Sequence, residues 1–296
     1  MKIQRVSKIP GNEDLKKYLQ QRSIPVKFCY PKEGGDKWHK LRSNNKYDLG
    51  VRELTAFKGS LPDIKKAIGE QPVNLVHLGP GDGIEIPILF ETFMQKSNEI
   101  YAGVDISEQM IYNTVSLNSS YFSNVNQLWY IADIETESNL ELICKDVKKN
   151  GSGRNLILLT NQGVLLSNSK TLENIYDSMQ DQDYLFITIE GNDKYKRGEI
   201  CSTYDLPEVR NLLSVGLQRA GYKPDKGRFR TIFDKEKSRV EVYFKPEDEP
   251  EISCLTSYKP KEDDFIRLLE GYGFEIQFMR FYERVHTFAV LCKKEK

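Results

Sequence analysis

The chain has 296 residues, 39% of them hydrophobic and 29% charged, which suits a folded core and is too apolar for a disordered chain. Its 43 basic and 43 acidic residues cancel, so no global field would gather nucleic acid or an anionic membrane, and no run approaches the about 20 apolar residues that span a bilayer. The five cysteines contain no CxxC pair, so no zinc site is expected; the first residues show no apolar leader, so a reducing cytoplasm is the expected compartment.

Up to about Gly69 the sequence is polar and aromatic. "EDLKKYLQQRSI" and "VRELTAFKGSLPDIKKAI" have the apolar spacing of helices, and "KFCYPKEGGDKWHKLRSNNKYDLG" between them is turn-rich. From Val73 the texture changes. "VNLVHLG" is a continuous apolar strand signal, as in a parallel sheet covered on both faces. A helix and a second strand, "IYAGVDIS", follow, and Ser107 is placed to cap the next helix. "QLWYIADIE", "NLILLTNQGVLL" and "DYLFITIEG" are further strands, with a helix over "SKTLENIYDSM". Strands alternating with helices predict an α/β fold with a doubly wound parallel sheet.

After Gly191 the alternation stops. A polar stretch leads to a helix in "YDLPEVRNLLSVGLQRAGY", and "FRTIFDKEKSRVEVYFK" reads as two antiparallel strands. The last part, "EDDFIRLLEGYGFEIQFMRFYERVHTFAVLCKK", reads as a helix and a sheet-completing hairpin. Residues 193–253 are therefore expected as an insertion before the last sheet elements.

The chemistry starts at Gly79, Gly81 and Gly83, a GxGxG loop directly after the first core strand. Glycine there lets backbone N–H groups approach a ligand with no Cβ in the way. A dinucleotide fingerprint would be GxGxxG, and that third glycine is missing, since Ile84 follows Gly83. Asp105 ends the second core strand and suits two ribose hydroxyls. Asp133 ends the third and suits an adenine amino group. His77, inside its strand, reads as a core histidine. In this order, the loop and the two acids resemble a class I methyltransferase that uses S-adenosylmethionine (SAM).

Longer stretches resemble a narrower family, the histidine-specific SAM-dependent methyltransferases of the ergothioneine-pathway type, over about Ile24 to Cys292. They are "IPVKFCYPKEGGDKWHKL", "NKYDLGVREL", "GVLLSN", "CSTYDLPEVRNLLSVGLQRAGY", "SRVEVYF" and "EIS". The resemblance implies a Rossmann-like class I methyltransferase sheet with an inserted α+β substrate domain. Residues 61–192 and 254–296 would form the SAM-binding core, and 1–60 with 193–253 the substrate-binding domain. It implies SAM as cofactor and methylation of an amino acid's α-amine, that of histidine, up to the trimethyl betaine. Gly79, Gly81, Gly83, Asp105 and Asp133 would bind SAM. Asn168 and Tyr204 would hold the amino and carboxylate groups and so serve as the catalytic pair, joined by Tyr30 or Tyr47. Glu251 and Ser253 would bind the imidazole.

Three positions depart from the family. Asp48 and Val51 stand where a tyrosine and an arginine are usual, and "LQRAGY" replaces an Asn-Arg-Glu element. Another amino acid, an indole derivative or another small metabolite remain alternative acceptors, and a non-catalytic SAM- or nucleotide-binding regulator the alternative class. SAM is a sulfonium with a good leaving group, so no metal and no covalent intermediate are expected. The partner is a small-molecule amino acid, and the chain is expected to act as a monomer.

Overall fold

The computed structural model describes residues 3–7, 9–31, 33–95, 98–136, 138–160, 163–192 and 197–295. Eight strands form one sheet in the order β1 (Ile3–Arg5), β4 (Asn126–Ile131), β3 (Ile100–Asp105), β2 (Val73–Leu78), β5 (Arg154–Leu159), β6 (Tyr184–Glu190), β11 (Thr287–Lys294) and β10 (Phe274–Tyr282). All pairings are parallel except those of β11, which runs antiparallel to β6 and β10. Every residue of β2, β3 and β6 is buried, as a sheet covered on both faces requires.

One face is covered by α7 (Asn139–Asn150), α8 (Ser169–Ser178) and α11 (Glu262–Gly271), through residues such as Ile143, Ile175 and Phe265. The other carries α3 (Leu49–Ile68), α4 (Ile86–Phe93), α5 (Glu108–Leu117) and the short α6 (Ser119–Phe122), through Phe57, Phe90 and Ile111. This is the expected doubly wound sheet. No helix among the described residues is long and apolar enough to cross a membrane.

A second lobe has its own core. Strands β7 (Gly227–Asp234), β8 (Arg239–Pro246) and β9 (Ile252–Tyr258) form an antiparallel sheet, joined by α9 (Arg197–Ser202) and α10 (Pro207–Arg219). The N-terminal elements α1 (Asn12–Gln20), a 3-10 turn at Val26–Phe28 and α2 (Gly34–Arg42) pack into the same core, where Phe28 and Leu41 meet Leu213 and Phe244. Two distant parts of the chain thus share one hydrophobic unit.

The structure differs from the expected elements in several places. The strand expected over "NLILLTNQGVLL" ends at Leu159, and Leu165–Ser167 is a 3-10 turn. Helix α2 lies in the turn-rich segment: Gly34 marks a close approach, since a Cβ there would fall 1.7 Å from the Cys29 carbonyl oxygen. Helix α7 buries Leu140, Ile143, Cys144 and Val147, a helical period inside a stretch that drew no element from the sequence. Strand β1 adds an edge beside β4. Strand β9 follows the charged "KPEDEP" segment and runs to Tyr258, so the smaller sheet continues past residue 253. Helix α3 likewise crosses the expected boundary at residue 60, and the expected start of the insertion at residue 193 lies outside the described residues.

Candidate active site

Strands β3 and β4 lie on one side of β2, and β5 and β6 on the other. At such a reversal of strand order, the loops leaving the carboxyl ends diverge and leave a crevice for a ligand. A cavity of about 320 Å³ occupies this place and extends under the second lobe.

Its first end is built by the large sheet. Gly79 and Gly81 line it with φ of 63° and 61°, a left-handed backbone that glycine adopts without strain. Gly83, expected beside them as a ligand contact, does not line the cavity. Its φ is 65°, and a Cβ there would come within 2.9 Å of Ile86, Asn118 and Thr114, so it packs the loop onto α4 and α5. Asn118 Nδ2 donates to the Asp82 carbonyl at 3.1 Å, which ties the loop down further. Asp105 lines the cavity at the end of β3, and its Oδ1 accepts from Ser107 N at 2.9 Å. Burial pushes its carboxyl up to about 7, although the Ser107 and Ile106 N–H groups pull the other way. Ser107 caps α5 as expected. His77 is a core residue, 3.1 Å from the Tyr101 hydroxyl and 3.3 Å from Thr160 Oγ1, and burial lowers its pKa to about 3.

Asp133 also lines the cavity, but its carboxylate already has a partner. Lys27 Nζ, from the N-terminal segment, lies 3.0 Å from Asp133 Oδ2 and 2.6 Å from Glu135 Oε2. Burial works against the charge on Lys27, yet the two carboxylates hold its pKa above the ordinary lysine value. Arg42 of α2 pairs with Asp82 of the glycine loop at 3.2 Å. Two ion pairs thus fasten the second lobe over this end of the cavity.

The other end combines both lobes. Tyr30, Tyr47, Asn168, Tyr204 and Ser253, the residues expected to meet the acceptor, all line it. Trp38 stands between Tyr30 and Tyr47, edge-to-face with each at 6.0 Å between ring centres. Burial raises the pKa of both tyrosines, keeping their hydroxyls protonated. Asn168 does two things at once: its Oδ1 accepts from Lys170 N at 3.1 Å to cap α8, and the residue faces the cavity.

Glu251 corrects an expectation. It lies outside the cavity, where Arg230 of β7 binds it with two bonds, Nε to Oε1 at 3.0 Å and Nη2 to Oε2 at 2.6 Å. That guanidinium holds its carboxyl below the ordinary glutamate value, and the carboxylate is committed to it. The reason lies in the strand. β9 begins at Ile252, after Glu251. Glu251 therefore lies outside the strand, and the rule that residues two apart share a face does not reach it. The β9 hydroxyl that meets the other candidates is Ser257, 3.1 Å from the Tyr204 hydroxyl.

Other residues gave no sequence signal. Glu85 lines the cavity beside the Arg42–Asp82 pair, and burial raises its carboxyl to about 7. Lys259 and Glu190 form a buried pair at 2.7 Å, and Arg52 reaches the other Glu190 oxygen at 3.0 Å. Arg52 also pairs with Asp48 at 2.8 Å, so an arginine one position beyond Val51 serves this corner. These partners lie far apart in sequence, so no local spacing announces them.

The donor and acceptor sets fit SAM. Asp105 offers a carboxylate where a ribose would reach β3. Trp38 Nε1 is a buried donor with no partner among the described residues, 3.4 Å from where a Cβ on Gly81 would stand, so an anionic group at the glycine loop would satisfy it.

Over residues 12–292 the sequence matches the family described as "Histidine-specific methyltransferase, SAM-dependent". No individual curated protein matches it. Among solved structures, a magnesium protoporphyrin IX methyltransferase from Synechocystis with bound S-adenosylhomocysteine (SAH) aligns at a TM-score of 0.51 and 12% identity, covering 90% of this chain and 96% of that one. A SAM-dependent methyltransferase from Clostridium acetobutylicum aligns at 0.50 and 13%, covering 84% and 96%. The 1,6-didemethyltoxoflavin-N1-methyltransferase of Burkholderia thailandensis, with its substrate and SAH bound, aligns at 0.50 and 10%, covering 98% and 93%. At these identities the likeness shows the fold, that of the class I methyltransferases.

Proposed function

The chain belongs to the family of histidine-specific, SAM-dependent methyltransferases, and from that premise we propose that it methylates the α-amine of an amino acid, with histidine as the first acceptor to test. The observation that carries this reading is one cavity with two unlike ends. The glycine loop and Asp105 line the first, and Asn168, Tyr47 and Tyr204 line the second. A donor and an acceptor of small size would meet between them.

In this reading SAM, when bound, supplies a methyl group on a positively charged sulfur. The chain's own residues would do the rest. Gly79 and Gly81 leave room for backbone N–H groups to approach, and Asp105 takes the ribose hydroxyls. Tyr204 and Asn168 hold the amino acid so that its nitrogen points at the methyl, which is largely a matter of in-line positioning. The amine must first lose a proton, because its lone pair makes the new bond. A free α-amine is mostly protonated at neutral pH. The buried, aromatic surroundings of Tyr30, Trp38 and Tyr47 penalise the ammonium and favour the neutral form. Repeated transfer to the same nitrogen would give the trimethyl betaine.

A second acceptor class has its own support. With Glu251 committed to Arg230, the expected carboxylate partner of an imidazole is missing from the cavity, and Val209, Leu212 and Leu255 line the acceptor end. Those walls suit an apolar or aromatic side group, such as that of tryptophan.

The test is methyl transfer from labelled SAM to a panel of L-amino acids that includes histidine and tryptophan. Labelled product from one of them is expected, with label on the α-nitrogen. Transfer to none, with SAH still bound, contradicts the proposal. Transfer to an amino acid other than histidine keeps the reaction and replaces the acceptor.

A further inference from the structure

Three residues of the N-terminal part reach across the cavity to the large sheet, and each ends on a different loop of the cofactor end. Arg42 grips Asp82 in the glycine loop after β2, Nε to Oδ2 at 3.2 Å and Nη2 to Oδ1 at 3.3 Å. The Tyr30 carbonyl accepts from Ser107 Oγ, just after β3, at 3.2 Å. Lys27 is shared after β4 by Asp133 Oδ2 at 3.0 Å and Glu135 Oε2 at 2.6 Å. The three loops that would hold SAM therefore also hold this stretch. Lys27, Tyr30 and Arg42 line the cavity, so they form its wall as well as its fastening. The stretch belongs to the second lobe. Phe28 and Leu41 are buried in that lobe's core, and the Phe28 carbonyl accepts from Arg219 Nη1 of α10 at 2.7 Å. What is fastened over the cofactor end is thus the lobe itself.

We propose that this stretch is a strap over the cofactor, with Lys27 and Arg42 as its two latches, and that SAM enters and SAH leaves when the latches part. The inference rests on the reading that SAM lies against Gly79, Gly81 and Asp105. The fastenings are polar, which suits a part that must open. The side chains of Lys27, Asp133 and Glu135 are 15%, 7% and 17% exposed, so they meet little water while closed. They regain water when they separate, and that hydration offsets much of the attraction lost. Lys27 suits the task because its ammonium has several donors and two partners. An adenine amino group that takes Asp133 leaves Lys27 on Glu135, so the strap stays shut over a bound cofactor. Trp38 points the same way. It lies on α2 of the strap and lines the cavity, and its buried Nε1 has no partner among the described residues. Closure over an empty cavity leaves that donor unsatisfied, so the closed form fits a ligand better than a void. Chemistry and exchange then make opposite demands. Tyr30 and Trp38 favour the neutral amine when the strap is shut, and SAH departs when it is open, an arrangement in which product release limits turnover.

The experiment measures SAH association and dissociation rates by stopped-flow fluorescence in the wild type and in Lys27→Met. The variant keeps the length of the side chain and removes its charge, so Asp133 and Glu135 repel each other with nothing between them. Both rates should rise, release by about tenfold, the value of a hydrogen bond to a charged group. Because association speeds up as well, Kd should change less than the release rate. A residue that only touches the cofactor would speed release alone, and Kd would rise by the same factor. A residue that only packs the lobe would lower the melting temperature and leave both rates unmoved. Either of these results overturns the inference and leaves the proposed function standing. Should Lys27→Met not fold, Arg42→Lys decides at the other latch. It keeps the charge but loses the two-bonded grip on Asp82. The same shared rise in both rates is expected there, and unmoved rates overturn the strap. A wild type that binds no SAH overturns the cofactor reading and this inference together.

Discussion

The two ends of the cavity are built on different plans. The cofactor end is made by consecutive strand ends of one sheet: Gly79 follows β2, Asp105 ends β3 and Asp133 follows β4. Each residue is placed by its own strand, and the strands are fixed by buried apolar runs. The acceptor end is assembled from four separate stretches, around Tyr30 to Tyr47, Asn168, Tyr204 and β9. Short backbone contacts join some of them, Arg22 and Ile24 with Ser253 and Gly163 with Tyr258, and side-chain pairs add to these: Lys27 with Asp133, Arg42 with Asp82, and Lys259 with Glu190. The first end is a property of the sheet, the second a property of how two lobes close.

The sharpest way to break this comparison is at Asp105. Asp105→Asn should lower SAH affinity about 100-fold by calorimetry, since it replaces the charged acceptor of two hydroxyls. Its pH dependence has a defined sign. Burial lifts this carboxyl from the ordinary 3.8 to about 7, so the folded protein keeps a proton there that the unfolded chain has lost. The stability from this group is full below 3.8 and is lost as pH rises through about 7. Ribose hydroxyls bond more strongly to the ionised carboxylate than to the neutral acid, so SAH affinity should fall as pH drops through about 7, and Asp105→Asn should flatten that profile. An unchanged slope would mean that another group holds the ribose.

Gly83→Ala comes next. The left-handed φ of 65° and a Cβ 2.5 Å from Ile86 Cδ1 both oppose it. A loss of about 1–3 kcal/mol in unfolding free energy is expected, read by denaturant titration. A neutral result would show that the loop is not held by its packing on α4 and α5.

Tyr204→Phe should act on the acceptor alone. It removes one hydrogen bond to a charged group, so KM for the amino acid should rise about tenfold while SAH affinity stays within experimental error. Equal loss of both would mean that the two ends are not separable. Smallest of all is Glu251→Ala. It breaks an ion pair in which Glu251 is 35% exposed. Such pairs contribute about 0.2–1 kcal/mol, so stability should fall by that much and acceptor KM should change less than about twofold. A large rise in KM would return Glu251 to the site.

The same contrast explains what the sequence makes legible. The glycine loop, Asp105, Asp133 and the strand order follow from local signals: an apolar run, a turn that needs glycine, an acid at a strand's end. Asn168 is legible because a helix cap at the sheet's carboxyl edge already faces the crevice. Glu251 misleads because its role depends on where β9 begins, and that is set by pairing with β8. Lys259, Glu190 and Arg52 carry no local pattern; Arg52 and Glu190 are 138 residues apart. Helix α2 is hidden by a glycine pair that reads as a turn and instead allows close packing on Cys29.

The central claim is that one cavity holds donor and acceptor at opposite ends. A crystal structure with SAH and an L-amino acid tests it most directly. The account predicts the ribose hydroxyls on Asp105, the sulfur turned toward Asn168, and the amino acid held by Asn168 and Tyr204. A sulfur facing away from Asn168 and Tyr204, or an amino acid bound outside the cavity, would contradict it.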